Sequence, residues 1–551
     1  MKYIIVGAVA GGASTAARLR RLDEHAEIII FERGEYISYA NCGLPYYIGD
    51  VIKERNKLFV QTAVSFNQRF NIDVRTLTEV TAIHSGEKTV TAVKLVTGEV
   101  YTEKYDKLVL SPGAEPIRPP LPGISSGGIF TLRNVHDTDV IKGYIGQNNV
   151  KKVIVIGAGF IGLEMAENFH NLGLAVTVIE MINQILAPVD FPIAALVQRH
   201  IRSKGVQLRL NTTVTGFTRD SLGLSVILKD GDILKADMVL LSIGVRPDTK
   251  LAEKAGLKIG PAHGIAVNEF LQTSEPDIYA VGDAIEFKNP ISGQPMITYL
   301  AGPANKQGRI CANNIALGNT HSYHGSINTA IVKVFDMTIA TAGMASKHLK
   351  LANIAHIIST NHAGSHASYY PNAEQMSIQI AFSPDDGRLL GAQIAGYEGV
   401  DKRIDILGSY IKRGFTIHEL VEFEQAYAPP YSSAKDPVNM AGFIAENILL
   451  KRLQIFYWNE VKDLTPDDLL IDVRRSDEFS AGKIPGAVNI PVDEIRERMH
   501  EIPKDKRIYI YCEAGLRGYL AQRILKQNGY NSVHNLSGGF ILWTACMAEY
   551  A

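Results

Sequence analysis

Cysteine is scarce in this chain. Four occur in 551 residues, Cys42, Cys311, Cys512 and Cys546, and no two are close in sequence. That spacing excludes a disulfide framework and offers no zinc-ligand pattern, so no metal site is expected. Net charge is nearly absent as well: 56 Lys and Arg face 57 Asp and Glu, leaving −1. No global field invites nucleic acid or an acidic membrane surface, and neither is an expected partner. Long apolar runs are missing too; none reaches the about 18 residues a spanning helix needs. The N-terminal MKYIIVGAVAGGASTAARLRR has the lysine, apolar run and small residues of a secretory signal. Gly7, Gly11 and Gly12 interrupt that run and the strand pattern AEIIIFER follows, so a βαβ unit is the better reading. What remains is ordinary globular composition, 46% hydrophobic and 21% charged. The length suits roughly three to five domains. Scattered thiols fit a reducing cytosol, and a cytoplasmic location is expected.

Two segments read as copies of one unit. The first is YIIVGAVAGGASTAARL (3–19) followed by AEIIIFER (26–33); the second is KVIVIGAGFIGLEMAENF (152–169) followed by LAVTVIEM (174–181). Each has a buried strand, a glycine-rich turn, a helix and a second strand with Glu at its end, Glu32 or Glu180. In the second copy Gly157-x-Gly159-x-x-Gly162 follows a strand and opens a helix. Such a turn lets backbone N–H groups approach a pyrophosphate at the helix N-terminus. Glu180 lies 23 residues beyond Gly157, and no arginine follows it in MINQ (181–184). A carboxylate there suits a free ribose 2′-OH and repels a 2′-phosphate, so NADH is favoured over NADPH. The first turn keeps Gly7, Gly11 and Gly12, but Val9 stands where the second glycine belongs. Two such units imply two dinucleotides, or a dinucleotide and a nucleotide-like ligand.

Further along, YDKLVLSPGAEP (105–116) reads as a strand ending in a tight turn, and IRPPLPG (117–123) as a linker. DMVLLSIGVRPDT (237–249) closes the second unit, and TSEPDIYAVGDA (273–284) is another buried strand ending in Gly-Asp. From about Gly325 antiparallel strand patterns take over, with helices to about Leu450. A fresh α/β pattern then begins at IFYWNEV and looks separately folded.

These motifs, GAVAGG, LVLSPGAEP, GAGFIGLE, GVRPDT and TSEPDIYAVGDA, stand in the order found in the pyridine nucleotide–disulfide oxidoreductases, which residues 1–445 resemble. The resemblance implies an α/β chain with two Rossmann-like domains, for FAD and NAD(P)H, an α+β dimerisation domain and a homodimer. The implied boundaries are 1–112 with 251–324 for FAD, 113–250 for NAD(P)H, 325–445 for dimerisation and 446–455 for a linker. By the same resemblance Glu32, Arg33, Val80, Gly113, Arg133, Asp283 and Ala301 contact FAD.

Cys42 lies in SYANCGLPYY (38–47), a polar stretch turning into a helix. A helix N-terminus lowers a thiol pKa, so an activated thiolate is expected rather than the small buried hydrophobe most free cysteines are. Members of the family that shuttle electrons through an internal disulfide carry a cysteine pair here; this chain has one. The stretch resembles the coenzyme A-disulfide reductase branch, in which Cys42 would form a mixed disulfide with coenzyme A. The resemblance adds Tyr369 and Tyr427, reached from the partner subunit, as helpers of the coenzyme A thiol. It adds Arg18, Arg21, Ser38, Asn41 and Lys435 as coenzyme A contacts. NADH oxidases and peroxidases share the single cysteine and use it as a sulfenic acid.

The last pattern holds LLIDVRRSDEFSAGKIPGAVNIP (469–491), YIYCEAGLRG (509–518) and NLSGGFILW (535–543). It resembles one α/β rhodanese domain over 456–551. Cys512 to Arg517 follows a strand and precedes a helix, a loop whose N–H groups make a nest for anionic sulfur. Arg517 shapes the loop or adds charge. Two departures stand out: Lys483 replaces the usual His, and Glu513 inside the loop works against a doubly charged donor such as thiosulfate. Cys311 and Cys546 read as structural. The expected activity is therefore NAD(P)H-driven, FAD-dependent reduction of coenzyme A persulfide, other small persulfides or polysulfides, or coenzyme A disulfide at Cys42, with Cys512 handling sulfane sulfur. A plain oxidase or peroxidase is the first alternative. A sulfurtransferase or persulfide carrier scaffolded by the flavin half is the second.

Overall fold

The computed structural model describes residues 1–220 and 223–550. The chain divides into two compact units, Met1–Ile182 with Val206–Asn328, and Asn183–Gly205 with Thr329–Ala551.

In the first unit, strand Lys2–Val6 is apolar on both faces, with Ile4 and Ile5 fully buried. Such a strand belongs inside a parallel sheet covered on both sides. It pairs in parallel with Glu27–Phe31 and with Lys107–Leu110. The sheet is completed by Asp73–Arg75 at one edge and Ile278–Ala280 at the other. The second copy repeats the plan. Lys152–Ile156 sits between Ala175–Ile179 and Met238–Leu241, with Gln207–Arg209 and Ile129–Phe130 at the edges, all parallel. Each sheet is accompanied by a three-stranded antiparallel sheet, Thr78–His84 to Val100–Lys104 and Val214–Asp220 to Ile233–Ala236. The duplication thus extends well past the glycine turns. Helix Ala10–Leu22 packs on helix Ala301–Leu317. Gly308 permits that approach: a Cβ there would lie 2.6 Å from Gly11 O.

The second unit holds two five-stranded sheets. One is antiparallel, in the order Ala330–Val334, Met337–Gly343, Leu389–Gly396, Gln375–Phe382, Ile357–Gly364. The other is parallel, in the order Ile455–Phe456, Val533–Leu536, Arg507–Tyr511, Asp468–Asp472, Val488–Asn489. Residues 183–205 group here, although they fall inside the span expected for the pyridine-nucleotide domain. Ala195 of helix Phe191–Ser203 packs with Leu542, Ala545 and Cys546 of helix Gly539–Glu549. Buried Asp190, just before that helix, accepts from Gln379 Nε2 at 2.8 Å and Gln393 Nε2 at 2.7 Å. An amphipathic pattern tells which face of a helix is apolar, not which element will cover it.

Candidate active site

The two glycine turns are nearly superimposable in their demands. Gly7 and Gly157 have φ of +96° and +101°, and a Cβ on either would meet a carbonyl oxygen, Ser111 O at 2.1 Å or Ser242 O at 2.2 Å. Gly12 and Gly162 are equally constrained, with a Cβ falling 1.9 Å from Gly7 O and 2.0 Å from Gly157 O. Glu32 Oε2 accepts from Ala8 N at 2.9 Å, and Glu180 Oε2 from Ala158 N at 2.9 Å. Only the middle position differs. A Cβ at Gly159 would meet nothing within 4 Å. The backbone therefore does not require glycine there, and the open space is what a pyrophosphate needs to come close. Val9 takes that place in the first turn with φ −98° and ψ −134°, away from the extended conformation of Gly159 at φ −78° and ψ −172°.

A cavity of about 1000 Å³ opens over the first turn. It gathers Gly7, Gly11, Glu32, Arg33, Val80, Gly113, Arg133, Asp283 and Ala301 around one space, and Ser38, Asn41 and Cys42 share its wall. Gly12 lies behind the turn and supports it. Arg33 is paired with Glu115 at 3.2 Å and Asp248 at 3.3 Å. Burial pushes the Asp283 carboxyl up, and Arg133 draws it back down. A long cleft with a helix N-terminus, free glycine backbone at one end and Asp283 at its wall fits a flavin dinucleotide.

Cys42 sits in the short turn Asn41–Gly43, ahead of helix Leu44–Ile48, and is exposed to the cavity. The expectation of a lowered thiol pKa is corrected here. Burial by the cavity wall pushes the thiol up, and the carboxylates of Glu164 and Asp283 push it further. A five-residue helix offers little to oppose them. Glu164, on helix Phe160–Asn171, is pushed up to about 7 by burial, and Tyr46 Oη donates to its Oε1 at 3.3 Å. Sequence reasoning missed both residues. The available signal was position: Tyr46 lies one helical turn beyond Cys42, and Glu164 ends the GAGFIGLE motif.

Arg18, Arg20 and Arg21 separate cleanly. Arg20 is buried and donates to four backbone carbonyls, of Asp23, Glu24, Phe70 and Asn71, which makes it structural. Arg18 Nε donates to Asn313 Oδ1 at 3.0 Å, and its pKa is drawn down by partial desolvation and by the nearby cations Arg309 and Arg21. Arg309 thus joins the two expected anion contacts on one patch, unforeseen because it lies on the far helix. Ser38 holds φ +45° with its amide on Ala8 O at 2.8 Å.

In the second unit Tyr369 and Tyr427, 58 residues apart, meet through their hydroxyls at 2.7 Å, and both are exposed. The bond raises the Tyr427 pKa. Their segments are fastened beneath by Arg403, whose Nη2 reaches Ser365 O at 2.9 Å and Asp436 Oδ2 at 2.9 Å in a fully buried pair. Lys435, beside Asp436, is exposed.

Cys512 directly follows strand Arg507–Tyr511 and is 1% exposed. Gly515, at φ +109°, aims its N–H at Cys512 Sγ, 3.1 Å away. Arg517 is held by Glu478 through paired bonds of 2.6 and 2.7 Å, so it braces the loop as well as charging it. Glu513 is answered by Arg474 at 3.0 Å, and Arg474 is itself gripped by Asp472. The acid expected to repel anions is therefore partly neutralised. Lys483 lies over the Phe479 ring at 4.3 Å. Cys311 and Cys546 are fully buried in apolar surroundings that push both thiols up, in keeping with a structural role.

Comparison with known proteins matches these parts one by one. The family model for pyridine nucleotide-disulphide oxidoreductases matches residues 1–305, that for their dimerisation domain residues 329–437, and that for rhodanese-like domains residues 457–546. A coenzyme A disulfide reductase of Staphylococcus aureus strain JH9 is 38% identical over 445 residues, 81% of this chain and 100% of that protein. The structure of reduced Bacillus anthracis CoADR-RHD is 48% identical, with a TM-score of 0.97 over 100% of this chain and 98% of that one. The NAD-dependent persulfide reductase of A. fulgidus is 38% identical, with a TM-score of 0.92 over 98% of this chain and 100% of that one.

Proposed function

The chain belongs to the pyridine nucleotide-disulphide oxidoreductase family, and from that premise we propose an NADH-dependent flavoprotein that reduces coenzyme A persulfide and coenzyme A disulfide. One observation carries the reading. Cys42 opens onto the cavity over the first glycine turn, and no other cysteine lines it. The second sulfur of any disulfide formed there comes from substrate.

The Cys42 thiolate attacks the coenzyme A-bearing sulfur of a persulfide. That S–S bond breaks, hydrosulfide leaves, and a Cys42–coenzyme A mixed disulfide forms. Gly7, Gly11 and Gly12 would hold FAD, which when bound would supply two-electron transfer from NADH to that disulfide. The electrons and one proton return Cys42 as thiolate and coenzyme A as thiol. Tyr369 and Tyr427, offered by a second copy of the chain, hydrogen-bond the departing sulfur and hand it the proton. Arg18, Arg21 and Lys435 hold coenzyme A phosphates, and Ser38 and Asn41 line the approach to Cys42. Glu180 selects NADH at the second turn, where Gly157, Gly159 and Gly162 bind the pyrophosphate. Cys512 carries sulfane sulfur at a second station, and Arg517 steadies its loop. We place the enzyme in the cytosol as a homodimer; among the described residues no helix is long and apolar enough to cross a membrane.

Anaerobic NADH oxidation, with sulfide release followed in parallel, tests this reading. Turnover on coenzyme A persulfide with matching sulfide is the expected result. Turnover on coenzyme A disulfide alone reduces the proposal to thiol maintenance. Turnover that requires oxygen or peroxide overturns it in favour of a Cys42 sulfenic acid.

A further inference from the structure

We propose that His362 is a positioning residue for the Cys512 loop, acting through its hydrogen bond to Gly538. His362 lies on strand Ile357–Gly364, at the edge of the antiparallel sheet. Both ring nitrogens are engaged, Nδ1 with Ser377 Oγ at 2.8 Å and Nε2 with Gly538 O at 2.8 Å. Burial pushes the imidazole down to about 4, so the ring is neutral and holds one proton. A carbonyl only accepts, so Nε2–H donates to Gly538 O and Nδ1 accepts from the Ser377 hydroxyl. Two residues earlier on the same strand, Thr360 N donates to Ser537 Oγ at 3.1 Å.

The pinned segment bears directly on Cys512. Phe540 N donates to Cys512 O at 2.8 Å, and Ile541 N to Glu513 O at 3.1 Å. Gly539, at φ +56°, lets the chains touch: a Cβ there would fall 2.5 Å from Glu513 O and 2.7 Å from Cys512 O. The carbonyls that begin the Cys512 loop therefore rest on amides whose place is set by Ser537 and Gly538. That loop must keep its shape for Gly515 N–H to point at Sγ. A buried imidazole with a fixed tautomer is a stiff prop, since a slip by Gly538 leaves the N–H unpaired.

Past the end of this strand the chain leads on to Tyr369, yet the tyrosine segment has its own anchor in the buried Arg403–Asp436 pair. Loss of the His362 prop is thus confined to Cys512. Tyr457 Oη, on Ile358 O at 3.2 Å, keeps the neighbouring tie between the two sheets.

The inference rests on Cys512 as the sulfur-carrying thiol, but its test does not. Iodoacetamide alkylation of Cys512 in the full holoenzyme is followed by peptide-resolved mass spectrometry across pH. His362→Ala is expected to slow alkylation about tenfold near neutral pH and to move its profile to higher pH, the loss of one buried hydrogen bond. His362→Asn, which keeps an N–H donor, is expected to recover to within about threefold of the wild type. Ser537→Ala, which removes a weaker tie and no ring, is expected to slow alkylation about threefold and decides the matter if the alanine variant at 362 does not fold. Coenzyme A disulfide turnover through Cys42 stays unchanged in all three. A wild-type alkylation profile in His362→Ala, or in Ser537→Ala where that variant decides, overturns the proposal. So does an asparagine variant no better than alanine, or an equal fall in coenzyme A disulfide turnover. Failure of wild-type Cys512 to accept sulfur would sink the reading of its chemistry while leaving the alkylation comparison to stand.

Discussion

Cys42 and Cys512 occupy the same kind of place, between a preceding chain segment and a helix, and the protein treats them in opposite ways. Cys512 is buried, receives the Gly515 N–H and has Arg517 close by. Cys42 is open to a cavity, and the two charges that bear most on it, Glu164 and Asp283, are both negative. One site offers its sulfur a backbone N–H from its own loop and a guanidinium nearby. The other disfavours a standing thiolate, through burial and the two carboxylates that face it. A carrier that must retain sulfur between partners suits the first design, and a redox centre that must react only when loaded suits the second.

Exchanging each sulfur for oxygen gives the largest expected contrast. Cys42→Ser is expected to lower NADH-driven reduction of both coenzyme A substrates by about a thousandfold or more. Cys512→Ser should leave coenzyme A disulfide reduction intact and abolish persulfide formation at that site. Anaerobic NADH consumption on each substrate, with mass spectrometry of the persulfide, reads both. Loss of disulfide reduction in the Cys512 variant would break the division of labour. Arg517→Ala comes next. Removing the bidentate grip on Glu478 should lower sulfur loading of Cys512 about tenfold, while Cys42 chemistry holds.

Much of this contrast was readable before folding. The strand–glycine–helix units, the antiparallel middle and the last α/β pattern are local periodicities, and all appear where the sequence put them. Arg517 and Glu513 were visible as loop residues. Their partners were not: Glu478 and Arg474 arrive from another segment, 39 residues away in each case. The sign of the Cys42 shift was misjudged for the same reason. GLPYY announces a helix start, but Glu164 reaches the site from the second dinucleotide unit. Arg20 shows the converse, a charge in a basic run that the fold spends entirely on four carbonyls. Periodicity reports which faces are apolar; it is silent on which distant side chain fills the polar gap between them.

Glu164 offers a smaller and pH-dependent test. With its carboxyl pushed up to about 7 by burial, it is mostly neutral below that pH and charged above it. The charged form opposes the Cys42 thiolate. Glu164→Gln should therefore leave Cys42 alkylation unchanged in acid and speed it by about threefold as pH rises past about 7. Parallel profiles at every pH would mean that the carboxylate does not govern the thiol.

The smallest effect concerns the acid within the Cys512 loop. Two arginines, Arg474 and Arg517, face three carboxylates there, Asp472, Glu478 and Glu513. A persulfide arrives neutral or with one negative charge, whereas thiosulfate arrives with two and departs as sulfite with two. Glu513→Gln removes one negative charge and should favour thiosulfate over persulfide. Its side chain is 41% exposed and already paired with Arg474, so solvent and partner both screen it. The expected gain in the thiosulfate-to-persulfide loading ratio is only about threefold, and it should shrink with added salt. A larger, salt-insensitive gain would make Glu513 a specificity residue in its own right. An unchanged ratio would show that Arg474 has silenced it, leaving the burial of Cys512 to set the choice of donor.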